Sequence, residues 1–412
     1  MSVSILFAHK KVASVEDAIG HLENCGIWNF FDKRAVSFIN KFSSLLLKYP
    51  GINQYPDLVA LAYWFRRASI HKLEQRYAND NDNDVFRVGR GISLHIAPSN
   101  VDTIFVYSFF LSLLAGNSSF IRVSQNGSPQ LDIIIQLFQD LYDAGETVTA
   151  GRFVICTYPH ENKATEIVSK RCELRVIWGG NETVRTITAI PLNPTALEIK
   201  FPNRTSFSAI NLATLAKTAD KELIRLCEKL YADIQLFGQQ ACSSPLALYF
   251  VGSSGPCEQY ERFWDFFTAA AKNHKLSASE VMDRYVSASS MAISGVVDRS
   301  EVPFSHDKVL LLNGGLTSQR SFRDDHPGNG SLVQFFLPQL VDLARHIKPE
   351  DQTLSVYGFS AGELGELLAS LSNRGLDRVV PIGQALEFGN IWDGIDLLDS
   401  MSRKIDISKV NR

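Results

Sequence analysis

The apolar positions of this chain keep two rhythms, and one gives way to the other near residue 91. Before that point the spacing is helical. In "AVSFINKFSSLLLKYP", Val36, Ile39, Phe42, Leu45 and Leu46 share one helix face, and Pro50, which has no N–H to donate, stops the run. From residue 91 short strand-like runs alternate with helical ones. "GISLHIAP", "SFIRVS", "RFVICTY", "LRVIWGG" and "ALEIKF" read as strands. Between them "DTIFVYSFFLSLLAGN", "PQLDIIIQLFQDLYDAG", "NKATEIVSKRC" and "NETVRTITAI" read as helices, with C-cap signals at Gly116-Asn117 and Gly145. Such alternation predicts parallel strands joined by crossover helices. A second set begins near residue 208. The helix "DKELIRLCEKLYADIQLFG" leads to the strand "PLALYFVG" and, after two more helices, to "KVLLLNG", "QTLSVYGF" and "DRVVPIG".

Composition narrows the class. At 412 residues the chain is too long for one simple core, so two domains are expected. A net charge of −3 with no basic stripe gives nucleic acid no purchase. No run reaches the roughly 18–20 apolar residues of a membrane span. "MSVSILFAHKK" places its charges after its apolar residues, the reverse of a secretory signal. The six cysteines are sparse and show no CxxC or other metal-ligand spacing. That fits reduced thiols in the cytoplasm and no metal centre. "NDNDND" (79–84) reads as a solvated turn; Val85 and Gly91 stand where a calcium loop needs Gly and Glu.

Four stretches carry candidate chemistry. In "LFGQQACSSP" Cys242 sits among small polar residues after a helix, whereas the other five cysteines lie in apolar or periodic runs. A thiol becomes a useful nucleophile only with help from its surroundings, because its ordinary pKa is about 8.5. In "HIAPSNVDTIF" Asn100 follows a strand, at the end where open α/β sheets place ligands, and its amide can donate to an oxyanion or simply cap a helix. In "VIWGGNETV" Trp178 ends a strand, and Gly179 and Gly180 lead into a helix N-terminus that can take a pyrophosphate. A G-x-G-x-x-G fingerprint is absent: Gly89 and Gly91 begin one and Leu94 ends it. "GFSAG" around Ser360 has the form of a hydrolase elbow, but the last histidine is His346, so no base follows the serine.

Together "HIAPSNVDTIFVYSFFLSLLAGNSSFIRVS", "VIWGGNETV", "FPNRTSFSAI", "FGQQACSSP" and "LDRVVPIGQALEFGNIWDGIDLL" resemble the aldehyde dehydrogenase superfamily, and within it the acyl-CoA reductase (LuxC) branch. The resemblance implies an aldehyde-dehydrogenase-like α/β fold of two doubly wound domains with a helical N-terminal segment. Its expected bounds are 1–90 for the helical segment, 91–207 for the dinucleotide-binding domain and 208–385 for the catalytic domain. Residues 386–412 would return to the cofactor domain or an oligomer interface.

It further implies Cys242 as the acyl-accepting nucleophile and Asn100 as the oxyanion donor. Arg122 and Ser124 would lie near the adenosine ribose, and Trp178, Gly179 and Gly180 beside the pyrophosphate. Arg122 stands where a lysine is common, and a guanidinium there suits a 2′-phosphate, hence NADPH. Glu198 in "ALEIKF" matches the water-activating glutamate of hydrolytic relatives, without the Gly-Gly that follows it there. The implied reaction reduces an acyl-CoA or acyl-carrier thioester to an aldehyde, in a homo-oligomer that an acyl-protein synthetase can supply. Two other readings stay open: oxidation of an aldehyde to an acid or acyl-CoA, and a non-catalytic paralogue that scaffolds an acyl-activating partner.

Overall fold

Two six-stranded sheets organise the chain. In this computed structural model residues 3–10, 12–79, 85–98, 101, 103–159, 162–273, 275–297, 310–314 and 321–407 are described. They divide into two compact units, 1–203 with 388–412, and 204–387. Among the described residues no helix is long and apolar enough to cross a membrane.

The first unit contains β1 (Ser4–Phe7), β2 (Val85–Gly89), β3 (Ile92–Ile96), β4 (Ser118–Arg122), β5 (Phe153–Thr157), β6 (Leu174–Trp178) and β7 (Leu197–Phe201). Its sheet runs β1-β5-β4-β3-β6-β7. The strands β3 to β7 pair in parallel. The chain moves outward from β3 to β4 and β5, then crosses back to β6 on the other side. The carboxyl ends of β3 and β6 therefore flank a topological switch point, where doubly wound sheets hold ligands.

Strand alternation sends Phe120, Val154, Cys156 and Ile177 to one core, with the helix Val15–Asn24, and Ile121, Phe153, Ile155 and Val176 to the other. The second core is aromatic: Phe38, Phe42, Phe109, Phe110, Phe138 and Phe153 pack there ring against ring. The helix Thr103–Leu114 runs through it, nearly all of its residues buried.

The two serines of that helix have partners. His95 on β3 contacts the Ser108 hydroxyl through Nδ1 at 2.8 Å and the Ser93 hydroxyl through Nε2 at 3.0 Å. Ser93 reaches Ser112 and Ser119, each at 2.9 Å. A polar seam thus closes inside an apolar layer, every member hydrogen-bonded. Burial drives the His95 pKa down to about 3. Its folded pKa lies below the ordinary 6.5, so the unfolded chain binds the extra proton and stability falls as pH drops below about 6.5. The first unit is expected to lose up to about 1.4 kcal/mol per pH unit from this group between pH 6.5 and 4. Thermal unfolding across that range measures it, and His95→Gln should flatten the slope.

The N-terminal stretch differs from its helical reading in two places. β1 joins the sheet edge antiparallel to β5, and β2 pairs antiparallel with the strand Ser402–Asp406. The first is an edge strand of four residues and the second one strand of a separate two-stranded ribbon, five residues long, both too short to impose a period of their own on the sequence. The tract 80–84 lies outside the described residues. Gly89 serves packing: a Cβ there would stand 2.5 Å from the Gly116 carbonyl oxygen.

The second unit contains β8 (Thr205–Asn211), β9 (Pro245–Val251), β10 (Leu310–Asn313), β11 (Ser331–Leu337), β12 (Asp351–Tyr357) and β13 (Arg378–Pro381). All pair in parallel in the order β10-β11-β9-β8-β12-β13. One face packs Phe207, Tyr249, Phe335 and Leu354; the other packs Leu248, Phe250, Leu332 and Phe336 against Phe263 and Trp264. The strand β11 is absent from the sequence reading.

Candidate active site

Cys242 lies on the loop that enters β9. The preceding helix, Asp220–Gln235, gives way at extended Leu236 to three consecutive residues of positive φ: Phe237 (φ 57°), Gly238 (φ 57°) and Gln239 (φ 63°). Only the glycine adopts that conformation freely; each of the other two costs about 1–3 kcal/mol. The buried Gln239 side chain offsets this. Its amide donates to the Pro245 and Ser331 carbonyls at 2.7 and 2.8 Å, and its oxygen accepts from the Gly330 and Ser331 N–H groups at 3.0 Å. The loop is thereby tied to the amino ends of β9 and β11. Residues 241–244 then close a turn, Ser244 N–H to Ala241 carbonyl at 2.9 Å, with Cys242 inside it.

Two neighbouring strands fix the cysteine. The Ser206 hydroxyl, at the start of β8, donates to the Cys242 carbonyl at 2.7 Å. From β12 the Gln352 amide Nε2 lies 3.5 Å from the Cys242 sulfur. Gln352 stands where the β12–β8 register slips: Asp351 faces Thr205 and Thr353 faces Ser206, which leaves Gln352 as the extra residue. A bulge of this kind re-aims a side chain. Beside it, buried Asp351 accepts from Arg323 Nε and a terminal nitrogen at 2.7 and 2.6 Å, from Thr205 Oγ1 at 2.7 Å and from Lys348 N–H at 2.8 Å. Cys242 itself is half-buried.

The candidate cofactor residues of the first unit cluster at the carboxyl end of its sheet. Arg122 ends β4. It is buried, donates to the Tyr158 carbonyl at 3.3 Å and lies 5.7 Å from the Tyr158 ring centroid. Among the described residues no carboxylate forms an ion pair with it. Burial holds its pKa below the usual arginine value. Ser124 is half-buried just beyond, its hydroxyl accepting from Asn126 N–H at 3.2 Å. Trp178 ends β6, but its indole belongs to the core, stacked on Phe201 at 3.8 Å and donating to Ser108 at 3.1 Å. Beyond it lies the half-buried Gly179–Gly180 turn, where the Gly179 N–H donates to the Phe201 carbonyl at 3.2 Å. Gly180 starts the helix Asn181–Thr188, which has no side-chain cap. Asn100 lies outside the described residues.

The profile of the acyl-CoA reductase (LuxC) family matches residues 67–276, just over half of the sequence. The chain belongs to this family. A long-chain acyl-protein thioester reductase from Aliivibrio fischeri is 26% identical over 191 residues, which is 46% of this chain and 37% of that protein. The match to that relative thus spans well under half of its length. Two solved folds are also similar. An NAD-dependent aldehyde dehydrogenase from Sinorhizobium meliloti superposes with a TM-score of 0.66 at 11% identity, covering 100% of this chain and 93% of its own. The aldehyde dehydrogenase KauB from Pseudomonas aeruginosa gives 0.67 at 13%, covering 98% and 93%. The fold is that of the aldehyde dehydrogenases, as the sequence resemblance implies.

In this LuxC-family chain the glutamate of "ALEIKF" is committed to structure. Glu198 accepts from Arg175 Nε at 2.6 Å and from Thr188 Oγ1 at 3.2 Å, and the Arg175 guanidinium is buried. Ser360 is also structural: it caps the helix Ala361–Ala369 and shares a capping box with Glu363. Of the other thiols, Cys156, Cys172 and Cys227 are buried, and burial pushes the last two up to about 12. A thiol that cannot ionise is no nucleophile at neutral pH. Gln352 and Gln239 escape a motif search, because each is one ordinary amide whose role depends on strands far away in sequence.

Proposed function

We propose that this protein reduces a long-chain acyl thioester, carried on CoA or on a protein, to the aldehyde, through an acyl-enzyme on Cys242 and with NADPH as reductant. The observation that carries the reading is the half-buried thiol of Cys242, held on a constrained loop with an amide donor at its sulfur. The family match and the thioester-reductase relative supply the substrate class.

The Cys242 thiolate attacks the thioester carbonyl. The C–S bond to the carrier breaks, the carrier thiolate leaves and takes up a proton, and a new thioester remains on Cys242. The Cys242 backbone N–H and the Asn100 amide are the donors assigned to the tetrahedral oxyanion; losing one such donor raises a barrier by about 2.7–4 kcal/mol. The dinucleotide, when bound, supplies a hydride equivalent. Arg122, a buried cation with no carboxylate pair among the described residues, suits a 2′-phosphate. Ser124 would sit at the ribose, and the Trp178–Gly180 turn, with its uncapped helix, at the pyrophosphate. Cys242 then leaves again as thiolate when the hemithioacetal collapses to aldehyde.

Water must be kept from the acyl-enzyme, and Glu198, engaged by Arg175, is assigned no part in activating it. Glu198→Gln is therefore expected to keep aldehyde formation within about threefold while costing on the order of 2–4 kcal/mol of stability, since Arg175 loses its counter-charge. Steady-state rates and urea unfolding read the two effects separately.

The reading as a whole is tested by intact-mass measurement after incubation with acyl-CoAs of graded length and no reductant. One acyl adduct, mapped to Cys242, is expected. No adduct at any chain length, or an adduct on another residue, overturns it.

A further inference from the structure

We infer that Gln352 is a positioning residue for the Cys242 thiolate: its buried carboxamide donates to the sulfur and favours the ionised thiol. The inference deepens the reading of Cys242 as acyl acceptor and rests on it. Three observations point the same way. The amide nitrogen lies 3.5 Å from the sulfur, within reach of an N–H···S contact, on a side chain only 4% exposed. The Thr353 hydroxyl donates to the Gln352 oxygen at 3.2 Å, which fixes the carboxamide with its nitrogen toward the sulfur. The bulge that projects Gln352 is held on both sides, by Asp351 with Arg323 and by the Thr353 N–H to Ser206 Oγ contact at 3.1 Å. Ser206 in turn holds the Cys242 carbonyl.

The chemistry follows from what each form of sulfur accepts. A neutral thiol is a weak acceptor, whereas a thiolate takes a charge-assisted hydrogen bond roughly twice as strong as a neutral one. A donor fixed beside the sulfur therefore stabilises the ionised form more, and the thiol gives its proton to water at lower pH. A carboxamide does so without a charge that titrates or attracts an anion elsewhere. Among the described residues, the charged groups Asp351, Arg323, Arg204 and Asp377 on the surrounding elements are engaged otherwise. Asp351 pairs with Arg323 and Arg204 with Asp377, while burial keeps His326 neutral with a pKa of about 4.

The test is alkylation of the full-length protein by iodoacetamide across pH 6–10, with Cys242 modification followed by mass. Gln352→Leu is expected to raise the pH midpoint by about one unit, a roughly tenfold slower alkylation at pH 7. Gln352→Glu, the same shape with a negative charge and no N–H, is expected to raise it further and serves if the leucine variant fails to fold. An unchanged midpoint in a folded variant overturns the inference. The acyl-CoA adduct is scored in the same preparations. A shifted midpoint without an adduct in the unmodified protein keeps Gln352 and removes the acyl-transfer reading; an adduct with an unshifted midpoint does the reverse.

Discussion

Cys242→Ala is expected to abolish aldehyde formation from acyl-CoA, with a fall in kcat of roughly 10⁴–10⁶-fold, the scale on which loss of a catalytic nucleophile acts. The acyl adduct should vanish with it. The fold should not. The cysteine is tied into its loop by main-chain atoms, through its carbonyl to Ser206 and the Ala241–Ser244 turn, and alanine keeps both. Among the described residues the side-chain contact given up is the weak one from Gln352, so the stability change should stay within about 1 kcal/mol. Activity that survives in a well-folded Cys242→Ala protein would leave no chemistry for the loop. Bound NADPH, followed by its fluorescence, should be retained, because the residues assigned to it lie in the other unit.

The layout of the fold was legible because its elements advertise themselves. β3, β5, β6 and β9 are apolar runs bounded by turn residues, and the helices between them close on glycines such as Gly116 (φ 99°) and Gly145 (φ 97°). The strand β11 was equally readable in principle: "SLVQFFLP" is an apolar run between Gly330 and Pro338. β1 and β2 were not, since a strand of four or five residues at a sheet edge or in a two-stranded ribbon gains its identity from its partner.

At the site, composition singled out Cys242 because its neighbours are small and polar. It gave no sign of Gln352, which acquires its place through a register slip between strands 146 residues apart in sequence. Trp178 shows the opposite limit. Its motif marks the turn, yet the indole serves the core through Phe201 and Ser108. Local pattern reports where the chain turns. Which atom faces a substrate is decided by pairing between distant strands, and that information is spread over both partners.

Arg323→Ala is expected to destabilise the second unit by about 3–5 kcal/mol, the cost of leaving a buried carboxylate without its counter-charge. Asp351 is fully buried and its two oxygens accept from both ends of the Arg323 fork, while the guanidinium also donates to the His346 carbonyl at 3.0 Å. The pair has a second duty. Asp351 is the residue before the Gln352 bulge and is also held by Thr205, the first residue of β8. Loosening it should let the bulge relax and withdraw the amide from the sulfur, so Cys242 alkylation at pH 7 should slow as well. Urea unfolding should show the second unit's transition at lower denaturant with the first unit's unmoved, which places the loss where the pair lies. The double replacement Arg323→Met with Asp351→Leu should recover most of the stability, because an apolar pair of similar volume removes the stranded charge. It should leave alkylation slow, since neither side chain can anchor Thr205 and Lys348. If stability and thiol reactivity returned together, the ion pair would be a packing element alone and the bulge would hold its shape without it.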